Sequence, residues 1–173
     1  IYGRSKGAEL VLAGQSILDD VQCLVLNSPS NVIFEGIKGK LNSHSSSWTY
    51  LQKELPYQKF QLGNYLLNKF FGKYIPEDSR AQIDVSKIAS PLLLLGSDVD
   101  EIWNASSAID DIISHYKGES ILFKKYHETG HMLTIAYQPN HRYRKDWHLL
   151  MKESVDSWFA TINFFDIHLK NTK

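Results

Sequence analysis

The sequence has 173 residues, of which 43% are hydrophobic and 22% are charged, and its formal net charge at pH 7 is +0. This composition is typical of a single globular domain that can bury a core, so we do not expect a disordered chain. Because positive and negative charges balance, no overall field favours nucleic acid or an anionic membrane as a partner. No apolar run approaches the roughly 20 residues of a membrane span, so we expect a cytoplasmic protein. The one cysteine, Cys23, excludes an internal disulfide.

The first residues predict the end of a strand followed by a helix. Ile1 and Tyr2 have the apolar character of a buried strand whose beginning is absent, so we expect residues 1–173 to form one domain that is incomplete at its N-terminus. Over residues 6–18 apolar side chains recur at spacings of three and four, which is typical of a helix buried on much of its surface. A short apolar run at residues 21–26 then predicts a buried parallel strand that ends at a cluster of turn formers.

Residues 32–82 predict a lid-like excursion from the sheet. They are polar or aromatic, and glycines, prolines and a serine-rich tract interrupt every regular pattern. Only residues 65–71 indicate a helical turn, and their aromatic side chains would either cover an apolar substrate or pack on the body of the domain.

Regular elements return after this excursion. Four consecutive leucines at residues 92–95, bounded by a proline and a glycine, predict a strand covered on both faces. A helix is expected from about residue 106 to 116, with one of two adjacent serines as its cap, then a strand at 120–126 and a final helix at about 152–169. This order of elements predicts an α/β fold: a mostly parallel sheet with helices on both faces.

A serine flanked by two glycines precedes the first predicted helix. Residues 3–7 read Gly-Arg-Ser-Lys-Gly, which fits the Gly-x-Ser-x-Gly pattern of a serine on a sharp turn between a strand and a helix. At such a turn the Ser5 hydroxyl stands above the sheet, and the Lys6 amide at the helix N-terminus can donate a hydrogen bond to an oxyanion. The pattern predicts Ser5 as the nucleophile of an enzyme that transfers or hydrolyses acyl groups.

The other two groups that a serine nucleophile needs follow in the order expected for this turn. Asp98 and Asp100 come after the leucine-rich strand, and His131 comes after the strand at residues 120–126. A neutral serine is a weak nucleophile, so the histidine takes its proton while a carboxylate fixes the tautomer of the ring. These residues predict a Ser-Asp-His triad in which the acid is Asp98 or Asp100.

Three segments resemble the C-terminal catalytic domain shared by acyl-CoA thioesterases and bile acid-CoA:amino acid N-acyltransferases. Residues 3–10 read G-R-S-K-G-A-E-L, like the family's G-x-S-K-G-x-E-L. Residues 91–98 read P-L-L-L-L-G-S-D and continue to Trp103, and Thr-Gly-His at 129–131 is followed by Tyr137 and a proline two residues later. The resemblance runs nearly from end to end, and it implies the C-terminal part of an α/β-hydrolase fold.

The same resemblance implies roles for individual residues. The family's nucleophile is serine in thioesterases and cysteine in the amino acid transferase, so Ser5 implies hydrolysis of an acyl-CoA-type thioester in fatty acid metabolism, without a cofactor. The segment from Gly96 to Trp103 is one residue longer than the family's G-x-D-D-x-x-W, so Asp98 and Asp100 both remain candidates. Counting back from Trp103 selects Asp100. Trp103 and Tyr137 are expected to contact the substrate.

Two alternative functions are left open by these residues. A carboxylesterase or a peptidase can share the fold and the triad, because the shape of the pocket decides the substrate. A truncated hydrolase fragment that lacks its upstream strands would fold without turning over substrate, and its open sheet edge would favour association between copies.

Histidines and basic residues outside the motifs are interpreted as surface features. His127, His141 and His148 lie near His131 in the sequence, and such a cluster could hold a metal. Because His127 comes at the end of a predicted strand, we interpret it as a surface residue and expect no metal. The basic run at residues 141–145 could attract a phosphate such as that of coenzyme A, yet no glycine-rich cradle accompanies it. A solvated loop is therefore the expected structure of this run.

Overall fold

A computed structural model describes residues 1–38, 41–59, 63, 66, 70, 78–131, 133 and 147–170. The described strands are β1 (Tyr2–Arg4), β2 (Leu24–Asn27), β3 (Glu35–Lys38), β4 (Leu41–Ser46), β5 (Thr49–Tyr50), β6 (Lys53–Glu54), β7 (Leu92–Ser97) and β8 (Ile121–Tyr126). The described helices are α1 (Lys6–Leu18), α2 (Ala105–His115) and α3 (Trp147–Lys170), with 3-10 turns at Ser79–Ala81 and Val85–Lys87.

Among the described residues the central sheet has four strands in the order β1-β2-β7-β8, and every pair of neighbours is parallel. All residues of β2 and β7 are buried, as expected for apolar strands that are covered on both faces. The predicted mostly parallel sheet is therefore confirmed.

Side chains of the two central strands alternate between two cores. Leu92 and Leu94 pack in a cluster with residues of α1 and α2, whereas Leu93 and Leu95 pack in a second cluster with Phe164 of α3. This alternation follows from the two-residue period of a strand. Helices α1 and α2 therefore cover one face of the sheet and α3 covers the other, as the sequence predicted. The thiol of Cys23 belongs to the second cluster and is buried.

The excursion at residues 32–82 contains more regular structure than the sequence indicated. Strands β3 and β4 form one antiparallel pair, and β5 and β6 form another. Isolated β-bridges pair Val32 with Gln82 and Phe34 with Gln58, so the beginning of the excursion is hydrogen-bonded to its middle and to its end. The expectation that no regular pattern exists here was wrong, because strands of two to six polar residues carry little apolar periodicity. Of the predicted helical turn at 65–71, only residues 66 and 70 are described, and both are helical.

In the part of the chain that the structure describes, no helix combines the length and apolar character needed to cross a membrane.

Candidate active site

The three predicted catalytic residues lie at one edge of the central sheet. Ser5 follows β1 directly, Asp100 follows β7, and His131 follows β8. Because the strands are parallel, their carboxyl ends meet at the same edge, where ligands of open α/β sheets usually bind. Residues that are more than 90 positions apart in the sequence are thereby brought together.

Ser5 occupies a strained turn between β1 and α1. Its backbone has φ 54° and ψ −124°, a conformation that residues other than glycine rarely adopt. Its amide donates to the Asn27 carbonyl at 2.9 Å, and its carbonyl accepts from the amides of Ala8 at 2.9 Å and Glu9 at 3.1 Å. These bonds fix the turn on both sides, so the hydroxyl is held above the sheet.

Gly3 permits the close approach of β1 to α1 that this turn requires. A Cβ atom at Gly3 would lie 2.6 Å from the Gly7 carbonyl oxygen and 2.8 Å from the Cα of Ala8. A Cβ atom at Gly7 would meet nothing within 4 Å. Of the two glycines in the motif, Gly3 is therefore the one that steric contact demands.

A continuous hydrogen-bond chain joins the three predicted catalytic side chains. His131 Nε2 lies 2.7 Å from Ser5 Oγ, and His131 Nδ1 lies 2.8 Å from Asp100 Oδ2 and 3.0 Å from Asp100 Oδ1. The side chains of His131 and Asp100 are both buried. This is the arrangement in which a carboxylate orients an imidazole so that its other nitrogen can take a proton from serine.

The two aspartates that the sequence left open have different partners. Asp100 faces His131, and its Oδ1 also accepts hydrogen bonds from the amides of Ile102 at 2.9 Å and Trp103 at 3.1 Å. Asp98 instead pairs with His127 at the surface, where its Oδ2 lies 2.8 Å from Nδ1 of that ring. The structure thus brings Asp100, and not Asp98, to His131.

The last residue of β2 and the residue after it hold the backbone around His131, a role that the sequence did not reveal. The Ser28 hydroxyl donates to the His131 carbonyl at 2.9 Å, and Asn27 Nδ2 donates to the Leu133 carbonyl at 3.3 Å. Trp103 Nε1 donates to the Ser28 carbonyl at 3.3 Å. The sequence indicated Asn27 and Ser28 only as turn formers, because hydrogen bonds to residues 106 and 103 positions away leave no local pattern.

An aromatic wall lies beside the imidazole. The Trp103 ring meets the His131 ring edge to face at a centroid distance of 4.6 Å and stacks on Phe34 at 5.4 Å. Trp103 is therefore next to the predicted site, as expected, and Phe34 is an addition contributed by the excursion. Tyr137, the other predicted substrate contact, lies outside the described residues, as does the basic run at 141–145.

A partly buried ion pair explains two residues of the first motif. Lys6 Nζ lies 2.5 Å from Glu9 Oε1, and the same oxygen accepts from Trp48 Nε1 at 2.8 Å and from the Phe34 amide at 3.2 Å. Burial raises the pKa of the Glu9 carboxyl, against the opposing effect of Lys6, and burial lowers the pKa of the Lys6 ammonium, against the opposing effect of Glu9. The pair ties the excursion to α1 immediately behind the nucleophile.

The Lys6 amide lies at the N-terminus of α1, directly after Ser5. Lys6 is the first residue of α1, and the first helical hydrogen bonds are made by Ala8 and Glu9, which both donate to the Ser5 carbonyl. A helix leaves its earliest amides outside its own hydrogen bonding, and these carry the positive end of the helix dipole. The amide next to Ser5 is thus a donor that the helix itself does not use.

Among the described residues, no group of three or more histidine, cysteine, aspartate or glutamate side chains could hold a metal ion. His127, one of the histidines near His131 in the sequence, is engaged with Asp98 as described above, and His141 lies outside the described residues.

Comparison with known proteins places this architecture in a family. Residues 1–171 match the family described as BAAT / acyl-CoA thioester hydrolase C terminal. No curated protein matches the chain. Among solved structures, the monoacylglycerol lipase of Paleococcus ferrophilus is similar, with a TM-score of 0.53 and 12% identity, over 96% of this chain and 67% of that chain. At this identity the similarity concerns the fold alone.

The family match covers nearly the whole chain and agrees with the resemblance found in the sequence. The parallel sheet, the covering helices and the structural neighbour agree on an α/β-hydrolase fold. The chain therefore belongs to the BAAT / acyl-CoA thioester hydrolase C-terminal family.

Proposed function

We propose that this protein is a serine hydrolase that cleaves acyl-CoA-type thioesters. The observation that carries the proposal is the hydrogen-bond chain from Ser5 Oγ to His131 Nε2 and from His131 Nδ1 to Asp100, with both distances at or below 2.8 Å for the nearest atoms. Family membership supports an enzyme of the hydrolase type and supplies the thioester as substrate class. Cytoplasmic location and a place in fatty acid metabolism are expectations that accompany this proposal.

In the first half of the reaction His131 acts as general base. Its Nε2 takes the proton of Ser5 while Oγ attacks the thioester carbonyl carbon, and the new oxyanion receives a hydrogen bond from the Lys6 amide. Asp100 stabilises the imidazolium that results. The carbon–sulfur bond then breaks, the proton passes from His131 to the leaving thiolate, and the acyl group stays on Ser5 as an ester.

In the second half water replaces the thiol. His131 removes a proton from water, the hydroxide oxygen attacks the Ser5 ester, and the same proton returns to Ser5 Oγ as the carboxylic acid leaves. The buried position of Asp100 keeps its carboxylate away from competing solvent hydrogen bonds throughout both steps. Trp103, and Tyr137 beyond the described residues, are the proposed contacts for the substrate.

The proposal is tested by the substitution Ser5→Ala. We expect kcat for thioester hydrolysis to fall on the order of 10⁶-fold, because the substitution removes the oxygen that attacks the thioester carbon. Ser107→Ala is the matched control, since this serine side chain is exposed on α2. If Ser5→Ala and Ser107→Ala hydrolyse a thioester at similar rates, the proposal is wrong.

Two further measurements separate the alternatives. A panel of a thioester, an oxygen ester and a peptide amide distinguishes a thioesterase from a carboxylesterase or a peptidase, which the same three side chains could serve. A fluorophosphonate reagent tests whether the chain is catalytically competent at all. Phosphonylation of Ser5 Oγ with release of fluoride, absent in Ser5→Ala, would contradict the reading of the chain as a non-catalytic fragment.

A further inference from the structure

The loop from His127 to His131 connects β8 to the candidate active site and lies beyond the hydrogen bonding of the sheet. One carboxylate, that of Glu153 on α3, receives three successive amides of this loop: His127 at 2.9 Å, Glu128 at 3.1 Å and Thr129 at 2.7 Å. The Thr129 hydroxyl donates to the same carboxylate. Consecutive amides that converge on one anion are a recognised way to fix an irregular backbone.

A second carboxylate, that of Glu101, contacts the end of this loop. Glu101 Oε2 accepts from the His131 amide at 2.9 Å, and a Cβ atom at Gly130 would collide with that oxygen. Each residue of the Thr-Gly-His sequence therefore has a defined contact: Thr129 with Glu153, Gly130 with Glu101, and the His131 ring with Asp100. The position of the imidazole depends on this backbone being held.

We infer that Glu153 is a positioning residue for His131: its carboxylate fixes residues 127–129 so that the imidazole stays aligned with Ser5 and Asp100. The inference rests on the proposed function, since alignment matters for a base that must receive the serine proton. The hydrogen bonds of Glu153 go to the backbone of residues 127–129 and to the Thr129 hydroxyl. Glu153 therefore acts on His131 through the backbone that leads to it.

The ionised form of Glu153 is the form that this role requires. Burial by itself would raise the pKa of its carboxyl, but the Thr129 hydroxyl and the amides of His127, Thr129 and Glu128 outweigh burial, and the pKa is lowered. A charged acceptor strengthens each of these hydrogen bonds relative to a neutral one. A glutamine at this position would instead turn an N–H group toward amides that are themselves donors.

The neighbouring carboxylate on α3 offers a matched control. Asp156 accepts from Lys124 Nζ at 2.8 Å and from the Tyr126 hydroxyl at 2.9 Å, so it fastens α3 to β8 without contacting the loop. Glu153 and Asp156 lie one turn apart on the same helix. A substitution of Asp156 therefore weakens the contact between α3 and β8, whereas a substitution of Glu153 weakens the contact between α3 and the loop.

The experiment compares Glu153→Gln with Asp156→Asn in the whole chain, at a temperature where both variants are folded. We expect Glu153→Gln to lower kcat and the rate of fluorophosphonate labelling of Ser5 by about 10- to 100-fold, with KM within about 2-fold, because a shift of about 1 Å is costly at a reacting group. Asp156→Asn should keep both rates within about 2-fold of the unmodified chain. Equal effects of the two variants on labelling would overturn the inference.

A third variant keeps the test sharp if Glu153→Gln loses stability. Thr129→Val removes one hydroxyl without changing the size of a buried side chain. If the carboxylate acts through this residue, the effects of Thr129→Val and Glu153→Gln on the labelling rate are not additive, because the two groups share one contact. Additive effects would contradict the inference.

One readout does not depend on turnover and so separates this inference from the proposed function. The proton between His131 Nδ1 and Asp100 should give a downfield imidazole resonance in the unmodified chain and in Asp156→Asn, and it should be lost or broadened in Glu153→Gln. Failure of the unmodified chain to react with thioester and fluorophosphonate would count against the proposed function. An unchanged resonance in Glu153→Gln would count against the positioning role.

Discussion

Two aspartate–histidine pairs lie between the loops that follow β7 and β8, and they differ in burial rather than in distance. In both pairs a carboxylate Oδ2 lies 2.8 Å from a histidine Nδ1. The His131 and Asp100 side chains are 5% and 0% exposed, whereas those of His127 and Asp98 are 73% and 40% exposed. An equal distance therefore describes two different environments.

The buried pair is surrounded by groups that give it one orientation. The amides of Ile102 and Trp103 hold Asp100, and the Trp103 ring stands against the imidazole. Because little water competes there, the interaction of the two side chains is stronger than at a surface, where solvent screens charges. The comparison shows that a short aspartate–histidine distance alone does not identify a catalytic pair. The amide donors around the Asp100 carboxylate and the serine hydroxyl at His131 Nε2 distinguish the buried pair from the exposed one.

The largest expected difference between the pairs is catalytic. Asp100→Asn should lower kcat for thioester hydrolysis on the order of 10⁴-fold, because an amide beside Nδ1 favours the wrong tautomer of the ring. Asp98→Asn, two residues earlier on the same loop, should change kcat by less than about 3-fold, since an exposed pair contributes little. Steady-state kinetics on both variants decides, and a larger loss in Asp98→Asn would reverse the assignment of the two aspartates.

A smaller effect, on the free energy of unfolding, is expected at the two glycines beside Ser5. Gly3 is crowded by neighbouring atoms and Gly7 is not. Gly3→Ala should lower the free energy of unfolding by about 2 kcal/mol, because its Cβ would collide with backbone atoms that cannot move aside cheaply. Gly7→Ala meets open space at a helical position, and it should raise the free energy of unfolding by about 0.5 kcal/mol. Urea denaturation measures both, and equal effects would show that the close approach of β1 and α1 is not strained by a methyl group.

The smallest expected effect concerns the stability of the exposed pair itself. Asp98→Asn and His127→Ala should each change the free energy of unfolding by less than about 0.5 kcal/mol, as is usual for ion pairs at a surface. High salt should reduce even this difference. Urea unfolding at low and high ionic strength provides the measurement. If either substitution lowers the free energy of unfolding by more than about 1 kcal/mol, the exposed pair contributes more to stability than its exposure indicates.

The sequence predicted the sheet and its helices well because those elements are repetitive. The leucines of β7 and the apolar spacing of α1 are local patterns, and the structure contains both elements within a few residues of their expected bounds. The boundaries were less accurate: α2 is capped by Asn104, whose side chain accepts from the Ser107 amide, and neither of the two adjacent serines serves as its cap. Helix α3 begins at residue 147, earlier than the expected 152.

The candidate site was predictable only to the extent that its chemistry follows chain order. Ser5 and His131 could be named from their motifs, but the choice between Asp98 and Asp100 depended on a count along the chain, and only the folded loop shows which carboxylate faces the ring. Phe34 and Glu153 gave no signal in the sequence. Their partners are distant in the chain, and neither residue belongs to a recognisable pattern.

The one cysteine of the chain lies inside the core cluster that packs beneath α3. A thiol reagent can reach Cys23 only when that core opens, whereas a fluorophosphonate needs the native arrangement around Ser5. The protein thus carries two natural reporters with opposite requirements, one for an opened interior and one for an intact reaction centre. Used together on any variant, the two reagents distinguish a folded protein with an unreactive Ser5 from an unfolded protein.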